Sequence, residues 1–512
     1  MKLGIDFGTT RIVAAAVDRG NYPVITFEDS EGTGRDWFPA LVASRNGQRL
    51  YGWDAWQAQF EPGWTLVRSL KRLMQDAGPY TMLEIDGASV PVLQVLEEMT
   101  AAFRLALVEK SSLPANAGDS METMLGVPAN ANSNQRFLTI EPFQRAGFQV
   151  LGLLNEPSAA SIEYGHRNRS ADSNERVLVY DLGGGTFDAS LVRIEGRTHS
   201  VIASEGVPDV GGDDFDIVLA DMALELAGIE PGSLTQAERF RLYEEARTRK
   251  ETLHPNTRRI VMDLGSVREG WRDAVVPASE YYERCRPLIA RTVAATEGLA
   301  QSYDEEKRLD ALYVTGGGSE LPAVARVLKE VFGRRVRRSA YTRSATAIGL
   351  AIQADAAAGY ILHEHFTRHF GVWRESNAGR SVVFDPIFPK GAALPSPVDA
   401  PLMVVRRYCP VHNIGHFRYL ECSHRTEEGR PAGDIALWDE AWFPFDPALQ
   451  EEEKLEALAV EHSSTAERQE IEEKYLCYAS GAVEVQVSNR TSSYAKTYRL
   501  ARWANPLTAA NA

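Results

Sequence analysis

Two aspartates in this 512-residue chain each stand near the end of an apolar segment, just before a run of glycine and threonine. Asp6 lies in GIDFGTT and Asp181 lies in YDLGGGTFD. The small residues that follow them are Gly8, Thr9, Thr10, Gly183, Gly184, Gly185 and Thr186. Successive glycines let backbone N–H groups converge on an anion, and threonine hydroxyls add donors. Because Mg²⁺ is usually held by one or two carboxylates together with phosphate oxygens, the two turns predict a site for a metal-bound phosphate chain.

The segments around these turns predict the elements that position them. Apolar runs at 3–7 and 12–17 flank the first turn, and runs at 177–182 and 187–194 flank the second. Each turn is therefore predicted to join the two strands of a hairpin. The repetition of one unit predicts two related lobes that face each other.

A third glycine run, at 316–318, follows a β-type segment at 311–315. Apolar residues three and four apart predict a helix after it, which Gly333 is placed to end. A charge-rich segment at 235–253 and a small-residue segment at 345–358 are also predicted to be helices.

The composition is that of a globular chain with several packed units, since 44% of its residues are hydrophobic and 24% are charged. Lysine and arginine number 55 against 70 aspartates and glutamates, and the formal net charge of -15 argues against a general nucleic-acid binder. Four scattered cysteines indicate a reducing compartment. The sequence has no secretory segment and no apolar run of about 18 residues, so we expect a soluble, cytoplasmic protein without a membrane partner.

Beyond about residue 366 the sequence changes to short β-type runs separated by proline and glycine. The predicted organisation is a domain at 1–358 that carries the glycine turns, a linker at 359–366, a β-rich domain at 367–504 and a tail at 505–512. An acidic segment at 447–475 is predicted to form a helical insertion in the β-rich domain.

Seven motifs resemble those of the DnaK-type seventy-kilodalton heat-shock chaperones, in the same order and at similar spacing. They are GIDFGTT, SLKRLM (69–74), VPANANSNQR (127–136), NEPSAASIEYG (155–165), YDLGGGTFD (180–188), GGDDFD (211–216) and TGGGSELP (315–322). The resemblance covers residues 1 to about 355. It implies an α/β fold in which two actin-like lobes, duplicated ribonuclease H-like units, surround a cleft for ATP and Mg²⁺. A small, mainly-β sandwich-like domain would follow.

The resemblance also implies roles for residues in matching motifs. Lys71 would contact the terminal phosphate and the attacking water, with Thr186 nearby, and Glu156 would orient water around the metal. Asp181 would be a metal-shell ligand and candidate base, and Asp6 and Asp181 would hold Mg²⁺ through water. Further nucleotide contacts are expected from Gly8, Thr9, Thr10, Gly183, Gly184, Gly185, Gly211, Gly212, Lys250, Gly316 and Gly317. Such a set suits phosphoanhydride hydrolysis, which needs charge neutralisation and a positioned water.

The adenosine contacts depart from the family pattern. Arg247 stands where the family has glutamate, and His254 stands where it has serine. Glu320 takes a position commonly held by arginine, and TRSA (342–345) replaces Asn-Pro-Asp-Glu. The phosphate-binding motifs are intact, whereas nucleotide affinity and base selectivity stay open.

The second domain resembles the family's substrate-binding β-sandwich in two segments, FDPIFPKGAALP (384–395) and YASGAVEVQVSNRTSSYAKTYRL (478–500). Such a domain would bind extended apolar peptides; the alternative is an unrelated β domain for partner docking. The predicted function is a magnesium-dependent ATPase with chaperone-like, nucleotide-controlled binding of polypeptide clients. An exchange factor or co-chaperone would be a further partner. The alternatives are a nucleotide-gated adaptor for one dedicated protein and a metabolite kinase of the same superfamily.

One cluster of sulfur and nitrogen donors consists of Cys409, His412, His416, Cys422 and His424. Zinc accepts such mixed donors. However, the cluster has no Cys-x-x-Cys pair, and β-strand residues three apart lie on opposite faces. We favour buried cysteines and surface histidines, with a metal site as the alternative.

Overall fold

The computed structural model describes residues 1–78, 80–114, 120–168, 174–302, 309–377, 381–395, 399–478 and 481–500. The predicted tail at 505–512 lies outside these residues. The chain divides into two compact units, Met1–Ala131 with Leu138–Leu362 and Asn132–Phe137 with His363–Ala512.

The first unit mixes strands and helices. Its strands are β1 (Lys2–Phe7), β2 (Arg11–Ala16), β3 (Phe27–Glu28), β4 (Gly34–Arg35), β5 (Phe38–Pro39), β6 (Val42–Arg45), β7 (Gln48–Tyr51), β8 (Thr65–Val67), β9 (Met82–Ile85), β10 (Ala88–Pro91), β11 (Glu122–Val127), β12 (Gln149–Asn155), β13 (Asn174–Leu182), β14 (Phe187–Glu195), β15 (Thr198–Val207), β16 (Arg259–Met262), β17 (Ala274–Pro277), β18 (Ala311–Thr315), β19 (Val336–Arg338) and β20 (Ile361–His363), in which this unit ends. The helices are α1 (Gly52–Ala58), α2 (Leu70–Leu73), α3 (Val92–Glu109), α4 (Ser133–Arg145), α5 (Glu156–Arg167), α6 (Gly212–Ala227), α7 (Gln236–Glu251), α8 (Ala278–Ser302), α9 (Pro322–Phe332) and α10 (Ala345–Ala354). The residues of α4 up to Phe137 are counted with the second unit.

Two sheets of this unit repeat one arrangement of strands. Their orders are β12-β11-β1-β2-β5 and β19-β18-β13-β14-β15-β20. In both, an antiparallel hairpin is extended on the side of its first strand by two parallel strands. The two predicted hairpins are therefore confirmed, and the repeated turn in the sequence corresponds to a repeated sheet.

The predicted helices of the first unit are present, but the small-residue segment predicted at 345–358 is α-helical only to Ala354 and ends in a 3-10 turn at Ala356–Ala358. The charge-rich segment is α7, which Thr235 and Glu238 begin with a reciprocal capping box. The helix after the third glycine run is α9, and it ends at Gly333. In the described part of the chain, no helix combines the length and the apolar character that crossing a membrane requires.

Helix α10 packs against the first sheet and against α5. Ala347, Leu350 and Ala351 share one buried core with Val13 on β2 and Ala159 on α5. Small side chains on α10 let the helices approach closely, which fixes the beginning of α5, where Glu156 stands.

The second unit consists mainly of β structure. Its strands are β21 (His369–Ser376), β22 (Ser381–Phe388), β23 (Leu402–Tyr408), β24 (Ile414–Arg425), β25 (Pro431–Pro444), β26 (Ile471–Cys477), β27 (Val483–Asn489) and β28 (Tyr494–Arg499). They form two antiparallel sheets, in the orders β22-β21-β24-β25 and β23-β26-β27-β28. Phe370 and Val372 from one sheet and Tyr475 and Val485 from the other lie in one core.

The predicted helical insertion at 447–475 is wrong. The segment contains three short 3-10 turns, Pro447–Leu449, Leu455–Ala457 and Ala466–Arg468, and then enters β26 at Ile471. Alternate residues of β26 are buried, and the strand is paired on both sides. Burial of one strand face therefore outweighs the helix propensity of the glutamates and leucines.

Candidate functional site

The two glycine–threonine turns meet in a cleft of the first unit. The Gly183 N–H donates to the Thr186 carbonyl oxygen (2.9 Å), which closes the second turn. A Cβ atom on Gly185 would lie 2.6 Å from Thr9 Oγ1, so the turns approach as closely as glycine permits. Donors from both turns therefore converge on the same space.

The third glycine turn completes this side of the cleft. β18 pairs with β13, and Thr315 lies opposite Asp181. Gly316 has a φ of 82°, and a Cβ there would lie 2.5 Å from Asp181 Oδ1, so both backbone conformation and space require glycine. Gly317 lines the same cleft.

Lys71 on α2 points into the cleft and is only 8% exposed. Its Nζ forms an ion pair with Glu156 and lies 3.9 Å from Asp6 Oδ1. Burial opposes the charged form, but Glu156 and Asp6 outweigh burial and raise the pKa of Lys71. The lysine is therefore a fixed, permanent cation.

Carboxylates crowd around this lysine. Burial, reinforced by Glu156, raises the pKa of Asp6 to about 7 although Lys71 opposes the shift. Burial and Glu156 likewise raise the pKa of Asp188 to about 7, and burial with Glu156 and Asp6 raises that of Asp181 well above its usual range. Asp6 Oδ1 is buried without a hydrogen-bond partner among the described residues. Four carboxylates surround one lysine, and their mutual repulsion contributes to the raised pKa values; a divalent cation would compensate their charge when they are ionised.

The segment that carries Lys71 is tied to α6. Arg68 Nη2 lies 2.6 Å from Asp213 Oδ1 and 3.3 Å from Asp216 Oδ2. Arg72 Nη2 donates to Asp214 Oδ2 (2.8 Å). These ion pairs join the SLKRLM and GGDDFD motifs and hold Lys71 relative to the second turn.

Lys250 on α7 lies at the N-terminus of α6. Its Nζ donates to the Gly212 carbonyl oxygen (2.6 Å) and pairs with Asp216 Oδ1 (2.6 Å). Burial raises the pKa of Asp216 to about 6, although Lys250 and Arg68 oppose the shift. The lysine adds positive charge to the amide-rich beginning of the helix, where an anion is favoured.

Three arginines, Arg11, Arg247 and Arg343, also line the cleft. Glu251 accepts from Arg11 Nη2 (2.7 Å) and Arg343 Nη1 (3.1 Å). Burial opposes ionisation, but these arginines lower the pKa of Glu251 to about 2. Glu320 accepts from Arg343 Nη2 (2.6 Å) and Nε (3.0 Å). The two segments that depart from the family pattern, at Glu320 and at 342–345, are thus paired with each other in the cleft.

Comparison with known proteins decides the family. A family profile described as Hsp70 protein matches residues 2–366. The chain belongs to the Hsp70 family. Its Hsp70 relatives include the "Chaperone protein HscA homolog" of Vibrio parahaemolyticus, 32% identical over 375 residues, and that of Aeromonas hydrophila, 33% identical over 378 residues. The "Chaperone protein HscA" of Serratia proteamaculans is 32% identical over 379 residues. Each alignment covers 70% of this chain but only 58% of the relative.

Most of the predicted site residues of this Hsp70-family chain line the one cleft. They are Asp6, Gly8, Thr9, Thr10, Lys71, Glu156, Asp181, Gly183, Gly184, Thr186, Gly212, Lys250, Gly316 and Gly317. Gly185 and Gly211 are not in the lining; Gly185 packs against Thr9 and Gly211 against the backbone of the second turn. His254 is exposed and also lies outside the lining.

Several other residues of the cleft were not assigned a role from the sequence, although Gly318 stands in the third glycine run and Thr342 and Arg343 stand in TRSA (342–345). They are Arg11, Val13, Asp213, Asp216, Glu251, Gly318, Thr342, Arg343 and Thr346. Asp213 and Asp216 stand in the GGDDFD motif and could have been found from it. Arg11 and Glu251 are 240 residues apart, and no local pattern relates them.

The cysteine–histidine cluster of the second unit does not converge on a metal site. Cys422 is buried and Cys409 is exposed, so the expected burial of the cysteines is confirmed for Cys422 and is wrong for Cys409. His416 stacks on Trp442, with ring centroids 3.7 Å apart, and lies 2.9 Å from Glu440 Oε2. Within the residues described for this unit, no three histidine, cysteine or acidic side chains are grouped to bind a metal ion.

Proposed function

We propose that this chain binds and hydrolyses ATP with Mg²⁺, and that it is a chaperone-like protein whose nucleotide state controls the binding of polypeptide segments. The observation that carries the proposal is one cleft shared by Lys71, Glu156, Asp6 and Asp181 between the two glycine–threonine turns. The repeated sheets support an actin-like fold with duplicated lobes. Membership of the Hsp70 family, with relatives named as chaperones, supports the chaperone role.

The residues of the cleft would have separate roles in ATP hydrolysis. ATP would supply the phosphoanhydride bond, and Mg²⁺ would neutralise charge on its phosphates. The turn amides and the hydroxyls of Thr9 and Thr10 would bind phosphate oxygens. Lys71, kept charged by its carboxylate neighbours, would stabilise charge on the terminal phosphate. Glu156 and Asp181 would orient the attacking water, with Thr186 beside them, while Asp6 and Asp181 would hold the cation through water.

We further propose that residues 1–358 are the nucleotide-binding domain and that 367–504 bind polypeptide. The linker at 359–366 includes β20, where the Ile361 N–H donates to the Arg197 carbonyl oxygen (3.0 Å). Clients or one dedicated protein partner, with an exchange factor or co-chaperone, would complete the system. If nucleotide controls the β domain, MgATP should speed the release of a bound peptide. Unchanged release would favour the adaptor alternative.

Replacement of Lys71 by alanine tests the site. We expect Lys71→Ala to lower the rate of ATP hydrolysis by about 10²–10³-fold, because one preorganised charge at the transferred phosphate is removed. Steady-state release of phosphate from the purified chain, with and without Mg²⁺, measures the effect. Lys329→Ala, on the exposed surface of α9, is the control and should keep the full rate. A folded wild-type chain without magnesium-dependent turnover would contradict the proposal.

A further inference from the structure

The segment 334–338 places four arginines at one edge of the sheet β19-β18-β13-β14-β15-β20. They are Arg334, Arg335, Arg337 and Arg338, and all four are exposed. The last three residues of the segment form β19, which pairs in parallel with β18 on one side. On its other side, no strand among the described residues pairs with it. This edge therefore offers unpaired backbone groups to an added strand, with guanidinium groups around them.

Three of these guanidinium groups are free or only loosely paired. In the part of the chain that the structure describes, the side chains of Arg334 and Arg335 have no ion-pair or hydrogen-bond partner. Arg338 Nη2 lies 3.8 Å from Glu320 Oε1, whereas Arg343 binds that carboxylate more closely, at 2.6 Å. A long, half-exposed pair of this kind contributes little to stability. A carboxylate from a partner can therefore bind these arginines at little cost.

The two arginines of β19 lie on opposite faces of the sheet, because successive side chains of a strand alternate. Val336 packs against the core beneath α9, and Arg338 shares its face. Arg337 lies on the other face, where it donates to the Tyr164 hydroxyl on α5 and lies 3.7 Å from Glu175. A strand added beside β19 therefore meets one guanidinium group on each face. Acidic residues at alternate positions would reach only one of them, whereas consecutive acidic residues reach both.

The surroundings of the segment stay cationic when its charged neighbours are counted. The cations are Arg176, Arg326, Lys329 and the four arginines, and the carboxylates are Glu175, Asp310, Glu320 and Glu330. Seven cations against four carboxylates leave three positive charges in excess, in a chain whose formal net charge is -15. Residues 303–308, outside the described part, have three carboxylates and two cations in the sequence, which does not change the sign. This local reversal of sign indicates an anionic partner.

We propose that β19 binds an extended, acidic segment of a partner polypeptide. The segment adds a strand to the free edge and places consecutive aspartates or glutamates against the four arginines. Arginines on an edge strand repel neutral and basic strands, so the carboxylates select the partner. Single-stranded nucleic acid is disfavoured, because the rest of the chain is strongly negative and a phosphate backbone cannot extend the hydrogen bonds of a sheet. The inference does not depend on ATP, since none of the four arginines lines the nucleotide cleft.

Three fluorescent peptides that differ only in one central run of residues test this proposal. The run is all glutamate, all serine or all lysine, and fluorescence anisotropy measures the affinity of each peptide for the full chain. We expect the glutamate peptide to bind at least about tenfold more tightly than the serine peptide, and the lysine peptide not to bind. The preference should shrink as salt is added, since the arginines are exposed. Hydrogen–deuterium exchange of the β19 amides should slow when the glutamate peptide is bound.

Charge reversal at the edge sharpens the test. Arg334→Glu combined with Arg335→Glu should weaken binding of the glutamate peptide at least about tenfold and keep ATP turnover, because both side chains are exposed and lie outside the cleft. Arg258→Glu combined with Arg259→Glu is the matched control. It makes the same change in net charge at two adjacent, exposed arginines and should keep the affinity within about threefold.

Four outcomes would overturn the inference. They are equal losses of affinity in the two double variants, equal binding of the three peptides, unchanged exchange of the β19 amides in the complex, and tighter binding of a single-stranded oligonucleotide than of the glutamate peptide. ATP hydrolysis by the wild type is measured separately, so each of these outcomes would leave the proposed function standing.

Discussion

His199 on β15 is a fully buried base in the first unit. Its Nδ1 lies 3.0 Å from Ser161 Oγ, and its Nε2 has no hydrogen-bond partner in the described structure. Burial lowers the pKa of His199 to about 4. Between that value and the ordinary pKa of about 6.5, the unfolded chain binds a proton at this residue and the native chain does not.

Acidification should therefore destabilise the protein through His199, beginning as the pH falls below about 6.5. We expect a loss of about 2 kcal/mol in the free energy of unfolding between pH 7.5 and pH 5. Urea unfolding of the wild type and of His199→Gln at both pH values measures this contribution, which only the wild type should show. His254→Gln, at an exposed position, should behave like the wild type. The same pH dependence in His199→Gln and the wild type would rule out this explanation.

Single residues of the cleft differ in how far the sequence predicts them. Asp6 and Asp181 were predictable because each closes an apolar strand and precedes small residues. Lys71 was predictable only through the resemblance of its motif, since an isolated lysine is usually a surface charge. The partnership of Glu320 with Arg343 was not predictable, because it depends on two loops that meet only in the folded chain.

Arg68, between β8 and α2, is the main ionic link from the Lys71 segment to α6 and α7. Its guanidinium group contacts Asp213, Asp216 and Glu244, which are 6%, 1% and 7% exposed. Because these carboxylates are buried, removal of the guanidinium group takes away the ion pair of Asp213 and weakens the compensation of the other two, of which Asp216 keeps Lys250 and Glu244 keeps Arg247. The segment that carries Lys71 would also lose one of its ionic contacts with α6, and would keep the pair of Arg72 with Asp214.

Arg68→Met should lower the free energy of unfolding by about 3 kcal/mol. It should also slow ATP hydrolysis, because Lys71 is less well positioned. Chemical denaturation and phosphate release measure the two effects. Arg291→Met is the matched control, since its pair with Asp209 is exposed and should contribute less than about 1 kcal/mol. Equal stability of the two variants would contradict a structural role for Arg68.

Helices and strands were predictable where local pattern and tertiary packing agree. α7 has a capping box at its start and α9 has a glycine at its end, so both helices could be located. The strand β26 at the end of the acidic segment 447–475 was not predictable, because the glutamates of this segment favour a helix locally. Its burial depends on β23 and β27, which lie far away in the sequence.

The chain combines a unit built on a repeated α/β arrangement with a unit of β structure. The sequence predicts more of the first unit than of the second. The repeat was visible because both copies keep the same strand, turn and strand. A cavity of about 660 Å³ in the second unit was not predicted, since residues from β21, β22, β23 and β24 line it together. These strands are separated in the sequence and become neighbours only in the folded sheets.

Calorimetric titration of the full chain with ATP in the presence of Mg²⁺ tests the nucleotide site most directly. We predict binding of one nucleotide per chain, lost when Mg²⁺ is chelated. Gly185→Val should weaken binding at least about tenfold, because the added side chain collides with Thr9 and forces the two turns apart. A folded wild type that releases no heat with MgATP, or a Gly185→Val chain that binds as tightly as the wild type, would contradict a phosphate site between the two turns.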